Sequence, residues 1–490
     1  MPTRRTVLTA TMAALGSGVA TGAALTPLLK SGDHPQASPA TQLAAAALPI
    51  EKFRLPMPVP PVLTPYSRAG GTDRYRMTMR PARAEILPGI GTDVLTYDGH
   101  FPGPVVRARS GRRLTVVQHN RIDMPTSVHL HGAAVPPEED GSPMDTIAPG
   151  RRRRYTYQNR QSHASLWFHD HAHHMESEHV YRGLAGTYLI TDAVEEALPL
   201  PTGRYDVPIA IRDARFDDNG QLLYEMGDFL HRTTLLANGR AYPYFQVAAR
   251  TYRLRLVNTS NLRTLRLRLA DGSEMVQIGS DGGLLPAPHS TDAVTLSPGE
   301  RADVVIDFAR YPVGTGVVLE NTLLTGGPAD LLGQVLRFDV VRTAPDDSLI
   351  PPVLRTLPPL PTPTAERSVV MTMDTSGGPH AKGYINGKVY DPDRIDDRVR
   401  HGASEVWTVT NGDKTVPHNF HLHLVQFRIL ERNGRSPGPA ESGLKDTVLV
   451  MPGETVKLQA TFDTYRGVYL YHCHLIDHSA MGMMAQFRVS

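Results

Sequence analysis

Two phrases each occur three times along this chain, and that triplication limits its fold more than any other feature. One phrase occupies residues 145–158 (DTIAPGRRRRYTYQ), 292–308 (DAVTLSPGERADVVIDF) and 446–462 (DTVLVMPGETVKLQATF). The other lies upstream of each copy, as RRLTVVQHN from Arg112, YRLRLVNTS from Tyr252 and EVWTVTNGD from Glu405. Each reads as a strand of alternating, often β-branched residues that stops or breaks at a Pro-Gly or Asn-rich turn. Proline-rich breaks at residues 49–65, 199–208 and 351–363, where helix interiors and central strands are both disfavoured, cut the chain into three comparable pieces. The domains expected are therefore residues 49–198, 199–350 and 351–490, and a chain of 490 residues suits about three domains of roughly 150 residues. Short strands rich in Val, Thr and Tyr, with Gly and Pro between them and no long amphipathic helical pattern, predict an all-β fold of β-sandwich domains. One Ala-rich piece, residues 41–48, is a candidate helix in the leader or linker.

Charge excludes one class of partner. Lys plus Arg number 51 and Asp plus Glu 49, a formal net charge of +2, so nothing in the balance points to nucleic acid. The basic run 151–154 reads as a solvated strand or turn. Arg4 and Arg5 precede a mild Ala- and Gly-rich stretch, residues 7–29, broken by Gly16, Gly18 and Gly22; this resembles a twin-arginine export signal, with residues 1–48 as signal and leader. No later segment offers ~20 uninterrupted apolar residues, so no membrane span is expected. The expected location is outside the cytoplasm, in the extracellular or periplasmic/cell-wall space, and the chain is read as a monomer. An exported chain whose one cysteine is Cys473 contains no intrachain disulfide, so that residue is either a loose thiol or committed to a metal.

Histidines supply the metal's other ligands. His-x-His occurs at His129/His131, His169/His171, His421/His423 and His472/His474, in the first and last copies and not in the middle one. Residues two apart on a strand share a face, so each pair offers two imidazoles to one place. Imidazole suits copper, zinc, iron or nickel, so the pairs alone leave the metal open. The last pair narrows it. Strand alternation turns Cys473 to one face and His472 and His474 to the other. Near Cys473 in sequence lie His478, Met483 and, upstream, His418. Two histidines, a thiolate and a weak axial methionine form the ligand set of a blue-copper electron-transfer site, whereas structural zinc more often takes several cysteines.

With VHLHG, WFHDHAHH, HNFHLH and HCHLIDHSAMGMM in place, the chain resembles the three-domain multicopper oxidases, in particular the spore-coat laccase and bilirubin oxidase branch, over nearly all its length after the leader. The resemblance implies three cupredoxin-like Greek-key sandwiches and four copper ions. It assigns His418, Cys473, His478 and Met483 to the type 1 copper, His129 and His421 to type 2, and His131, His169, His171, His423, His472 and His474 to the type 3 pair. His173 and His174 lie beyond the family pattern and are read as non-ligands, and Met481 and Met484 as packing residues. The implied reaction passes single electrons from a small reducing substrate through His478 and Cys473 to His472 and His474, and reduces dioxygen to two waters. Phenols and aminophenols are the first substrate expectation, a bilirubin-like pigment the second and cuprous ion the third. A zinc hydrolase or a simple copper carrier is the reading from another class; Cys473 between two histidines opposes the first, and the eight paired histidines oppose the second. Asp140 matches an acidic residue that assists proton transfer, or is an exposed turn carboxylate. Close relatives carry Glu where this chain has Ser479, so the resemblance assigns no second proton-delivery carboxylate at that position; Asp477, read on a strand, faces away and is not promoted.

Overall fold

The computed structural model describes residues 49–490. The Arg4-Arg5 pair, the stretch 7–29 and the Ala-rich piece 41–48 lie outside the described residues. Strands carry the fold as the sequence predicts, and the longest helix among the described residues is Glu176–Arg182. No helix among them is long and apolar enough to cross a membrane.

The two repeated phrases are partners. Arg113–Asn120 pairs antiparallel with Arg152–Tyr157, Thr251–Asn258 with Arg301–Asp307, and Ser404–Asn411 with Thr455–Thr461. In all three copies the upstream phrase also takes a parallel neighbour on its other side: Thr72–Leu87, Asp206–Ala214 and Ala365–Asp374 respectively. A second sheet faces each of these. Facing the first is a sheet in the order Val106–Arg109, Ala185–Thr191, Ala164–Asp170, Val128–His131; facing the last is one in the order Asp397–Val399, Met484–Val489, Gly467–Cys473, His418–Leu422, Thr447–Val450. Apolar residues at period two fill the space between. Leu114, Val116 and Tyr155 meet Phe168 and Tyr188 in the first core, while Trp407, Phe462, Phe420, Tyr471 and Phe487 form the last.

The turn asparagine in each copy explains why the phrase recurs. Asn120, Asn258 and Asn411 are fully buried at the ends of their strands. Each side-chain oxygen accepts from the backbone N–H two residues on, at 2.8, 3.0 and 2.9 Å. Each amide then donates to two carbonyls: Met124 and Ile147, Arg263 and Leu296, Val416 and Val450. One side chain thus closes its own turn and staples it to the segment that opens the second phrase.

The middle copy differs on its outer face. Arg253 and Arg255 alternate with Tyr252, Leu254 and Leu256, and both guanidinium groups are buried against the first sandwich. Arg253 donates to Glu195 at 2.7 Å, and Arg255 to Asp206 at 2.5 Å and to Ser165 at 3.1 Å. The basic run 151–154, by contrast, opens the strand Arg152–Tyr157 largely exposed, as its composition suggested.

Asn411→Ala leaves two carbonyls and the Asp413 N–H short of a partner. The expected loss is about 1–3 kcal/mol for each buried group left unpaired, read as a lower denaturant midpoint; an unchanged midpoint would contradict the staple.

Candidate metal centre

Cys473 ends the strand Gly467–Cys473 and is fully buried. Its neighbour across the sheet is Phe420, so the strand His418–Leu422 runs alongside and brings His418 to the sulfur. The helix Ile476–Ala480 then turns the chain back and brings His478 to the same place. The Nδ1 atoms of His418 and His478 lie 3.2 Å apart, and each is 3.7 Å from Cys473 Sγ. His418 Nε2 donates to Asp413 at 2.8 Å, which keeps its Nδ1 free of hydrogen. Met483 is buried and clamped to both neighbours: Cys473 N donates to the Met483 carbonyl, and Met483 N to the His478 carbonyl, each at 3.1 Å. Burial pushes the Cys473 thiol up to about 12, against the pull of the Asn419 and Leu475 backbone N–H groups. A thiolate in such a place requires a cation bound to it.

The eight paired histidines form one buried chamber on the far side of the Cys473 backbone. The rings of the pairs lie 5.8, 5.7, 4.8 and 5.4 Å apart from first to last, so each pair does share a face. Three of the eight lie just past a strand end: His171, His423 and His474 follow strands that finish at Asp170, Leu422 and Cys473. Most are oriented by an oxygen. His129, His169, His421 and His472 donate from Nδ1 to the carbonyls of Asp140, Asp170, Asp446 and Cys473 at 2.6, 2.8, 2.8 and 3.0 Å. His423 donates from Nδ1 to the Asp140 carboxylate at 2.8 Å, and His131 from Nε2 to the Asp446 carboxylate at 2.9 Å. A carbonyl or carboxylate can only accept, so in all six the opposite nitrogen carries a bare lone pair.

Those lone pairs converge. His472 Nε2 lies 3.1 Å from His423 Nε2 and 3.4 Å from His171 Nε2, while His474 Nε2 lies 3.4 Å from His169 Nε2. Donor atoms of His129, His421 and His423 also fall within one ion's reach, as do those of His129, His131 and His169. Burial first, and neighbouring imidazoles next, hold His131, His169, His171, His421, His472 and His474 well below the ordinary histidine value; His423 is pushed down to about 4. Neutral imidazoles with unshared, converging lone pairs are what metal ions bind, and the thiolate beside them fits copper.

Asp140 is buried, not an exposed turn carboxylate. The 3₁₀ turn Pro137–Glu139 rotates it inward from an otherwise solvated acidic stretch. Burial alone would raise its pKa, but His423 and His129 hold it well below the usual carboxylate range. Asp477 needs correcting as well. It lies on a helix rather than a strand, and its buried carboxylate accepts from Ser177 Oγ, Asn261 Nδ2 (2.8 Å), the Gly227 N–H (2.8 Å) and Arg232 Nη2 (3.1 Å). It latches three distant segments together next to His478. His173 and His174 stack on each other at 3.7 Å, apart from the converging donors, and Met484 packs with Tyr390 and Leu470.

Sequence reasoning missed Asp446, Asp413 and Arg301. Asp446 orients His131 through its carboxylate and His421 through its carbonyl, while Arg301 grips both its oxygens at 2.6 Å. The pair passes so close to Gly132, at φ 83°, that a Cβ there would lie 2.3 Å from Asp446 Oδ2; this is why glycine follows His131. The signal available was the place of Asp446 at the head of the last repeated phrase.

Family models described as multicopper oxidase match residues 78–195, 216–318 and 360–490. A laccase of Bacillus stratosphericus is 32% identical over 89% of this chain and 98% of its own length, and a bilirubin oxidase of Albifimbria verrucaria is 33% identical over 96% and 88%. Among solved structures, a laccase from Pediococcus acidilactici superposes with a TM-score of 0.83 at 33% identity, covering 90% of this chain and 95% of that one. The clustered imidazoles, the buried Cys473 and this likeness over nearly the whole described length lead to one conclusion: the chain belongs to the multicopper oxidases, copper-binding oxidoreductases that use a reducing substrate and dioxygen.

Proposed function

We propose that this chain is a laccase-type oxidase that takes single electrons from a phenol or aminophenol at one copper and delivers them to dioxygen at three others. His418, Cys473, His478 and Met483 hold the first. His129 and His421 hold the second; His131, His169 and His474 share the remaining pair with His171, His423 and His472. Copper, when bound, supplies the one-electron redox steps and the binding of dioxygen, four electrons and four protons making two waters.

The observation that carries the reading is a covalent connection. Cys473 lies between two residues whose imidazoles enter the chamber: His472 faces His171 and His423, and His474 faces His169. An electron arriving at the sulfur therefore has a path of a few backbone bonds to the oxygen-reducing side. The entry side is equally narrow. Of the four residues proposed at the first copper, His478 is 7 % exposed and the others are sealed, so the reductant meets the edge of that imidazole. On the oxygen side Asp140, touching His129 and His423, rests as a carboxylate and can pick up a proton and hand it inward. The domain division 49–198, 199–350 and 351–490 belongs to the same proposal, with ligands only in the first and last parts.

Loaded with copper, the protein is expected to be blue from thiolate-to-copper charge transfer. Cys473→Ser is expected to lose that colour and all oxidase turnover while keeping copper in the chamber; turnover without colour would mean that electrons enter elsewhere. Asp140→Asn is expected to lower kcat about a hundredfold with the blue band and copper content intact, the scale of one lost general acid–base group. Unchanged turnover would remove Asp140 from proton delivery. The likeness to a bilirubin oxidase supports a second substrate reading, a linear tetrapyrrole pigment. Oxygen consumption measured side by side with a phenol, an aminophenol, bilirubin and Cu(I) separates them: fastest turnover on the first two is expected, and faster turnover on bilirubin or Cu(I) would replace the phenol reading.

A further inference from the structure

Glu176 is the buried carboxyl that the reaction outlined above leaves unused. It is 1 % exposed, at the start of the helix Glu176–Arg182, and neither of its carboxyl oxygens has a hydrogen-bond partner. A carboxylate in that state is costly, because nothing replaces the water it gave up. The Ser479 hydroxyl lies against the carboxyl, yet its own proton goes to the Ile476 carbonyl at 2.9 Å. A hydroxyl that has already donated can only accept. The contact is therefore satisfied when Glu176 carries the proton and donates it to Ser479 Oγ.

Neighbouring charges agree. Burial first, then Asp170 and Asp477, raise the Glu176 pKa well above the ordinary carboxyl value, against the pull of its own backbone N–H and of Ser479. The guanidinium in this quarter, Arg232, is engaged with Asp477. His179, on the same helix as Glu176, faces Asp170 at 3.4 Å. Asp477, in the same pocket, has the four donors that Glu176 lacks. Two carboxyls with opposite surroundings, one supplied with donors and one stripped of them, are the arrangement that separates a fixed anion from a proton carrier.

The location suits a carrier. Glu176 N–H donates to the Ala172 carbonyl at 2.9 Å, which places it one turn beyond His171, while Ser479 follows His478. Glu176 thus sits where the segment leaving the chamber meets the helix leaving the Cys473 site. Near it is Tyr390, which is 9% exposed and whose phenol is pushed up to about 12, chiefly by burial.

We propose that Glu176 is a second proton-relay residue for oxygen reduction, complementing Asp140. It rests as a neutral acid, gives its proton toward the chamber as dioxygen takes up electrons, and is left as a carboxylate. A proton from solvent on the Tyr390 side then restores it, so one proton enters for each one delivered. This inference rests on the oxidase reading, and its test separates the two.

The test uses the copper-loaded full chain and Glu176→Gln. Infrared spectra of the wild type at neutral pH are expected to contain a carboxylic-acid carbonyl band that shifts in D2O and is missing from E176Q. Anaerobic bleaching of the blue colour by a phenol is expected at the wild-type rate in E176Q. Its return on mixing with oxygen is expected to slow about a hundredfold, with a larger solvent isotope effect and a steeper loss at alkaline pH. Adding Ser479→Glu, which places a carboxyl on the other side of the same contact, is expected to restore reoxidation to within a few-fold. Absence of the acid band, or an unchanged reoxidation rate in copper-replete E176Q, overturns the relay. Should E176Q not fold, Ser479→Ala serves: removing the acceptor is expected to shift the acid band, and an unmoved band overturns the contact. A copper-loaded wild type that none of a phenol, an aminophenol, bilirubin and Cu(I) can bleach sinks the oxidase reading instead, whatever the infrared band shows.

Discussion

The chamber depends on a buried ion pair that neither of the two parts carrying the paired histidines contains by itself. Asp446 accepts from His131 and pairs with Arg301, and it has no contact with solvent to stabilise its charge. Arg301, from the middle copy, offsets that cost with all five of its N–H groups placed: Nε to the Ser165 carbonyl, one proton each to the Gly299 and Asp281 carbonyls, and two to Asp446. Those acceptors come from all three parts of the chain. Removing either partner of such a pair strands a buried charge, at a cost of about 3–5 kcal/mol. The middle copy, which has no His-x-His pair, therefore serves as the frame that sets the first and last copies at the spacing the imidazoles need.

Much of this was legible because it follows from strand arithmetic. The period of two predicts which histidines share a face, and it predicts that Cys473 and its flanking histidines serve opposite sides. It also predicts three sandwiches from two phrases, which the structure explains by pairing those phrases with each other. The proposed ligands come from residue types and spacing that few other chemistries would need, so local pattern was enough to nominate them.

What was not legible depends on burial, which the pattern does not encode. Asp145, Asp292 and Asp446 head the same phrase in three copies, yet their side chains are 56%, 67% and 0% exposed. Only the packing of the other parts against the last copy distinguishes them. Asp140 is one of three successive acidic residues, and a single 3₁₀ turn decides that it faces the histidines while Glu138 faces water. Asp477 was misread because the strand was extended past Cys473. The helix that follows turns its side chain toward Asn261 and Arg232, more than 200 residues away in sequence.

The same distinction separates the two kinds of buried acid around the candidate copper sites. Asp446 and Asp477 have hydrogen-bond donors arranged about them, which makes them fixed negative charges that orient imidazoles or tie segments together, while Asp140, against His129 and His423, both orients imidazoles and is the carboxylate proposed to pass protons inward. Glu176 has a comparable degree of burial and no donors, so the low-dielectric surroundings that strengthen the others' hydrogen bonds act on it in the opposite sense and favour its neutral form. A reaction that consumes protons inside a sealed chamber needs both kinds: anions that hold the histidines still, and an acid that can let its proton go. Sequence identifies all four as Asp or Glu, and only the count of N–H and O–H groups around each assigns the part it plays.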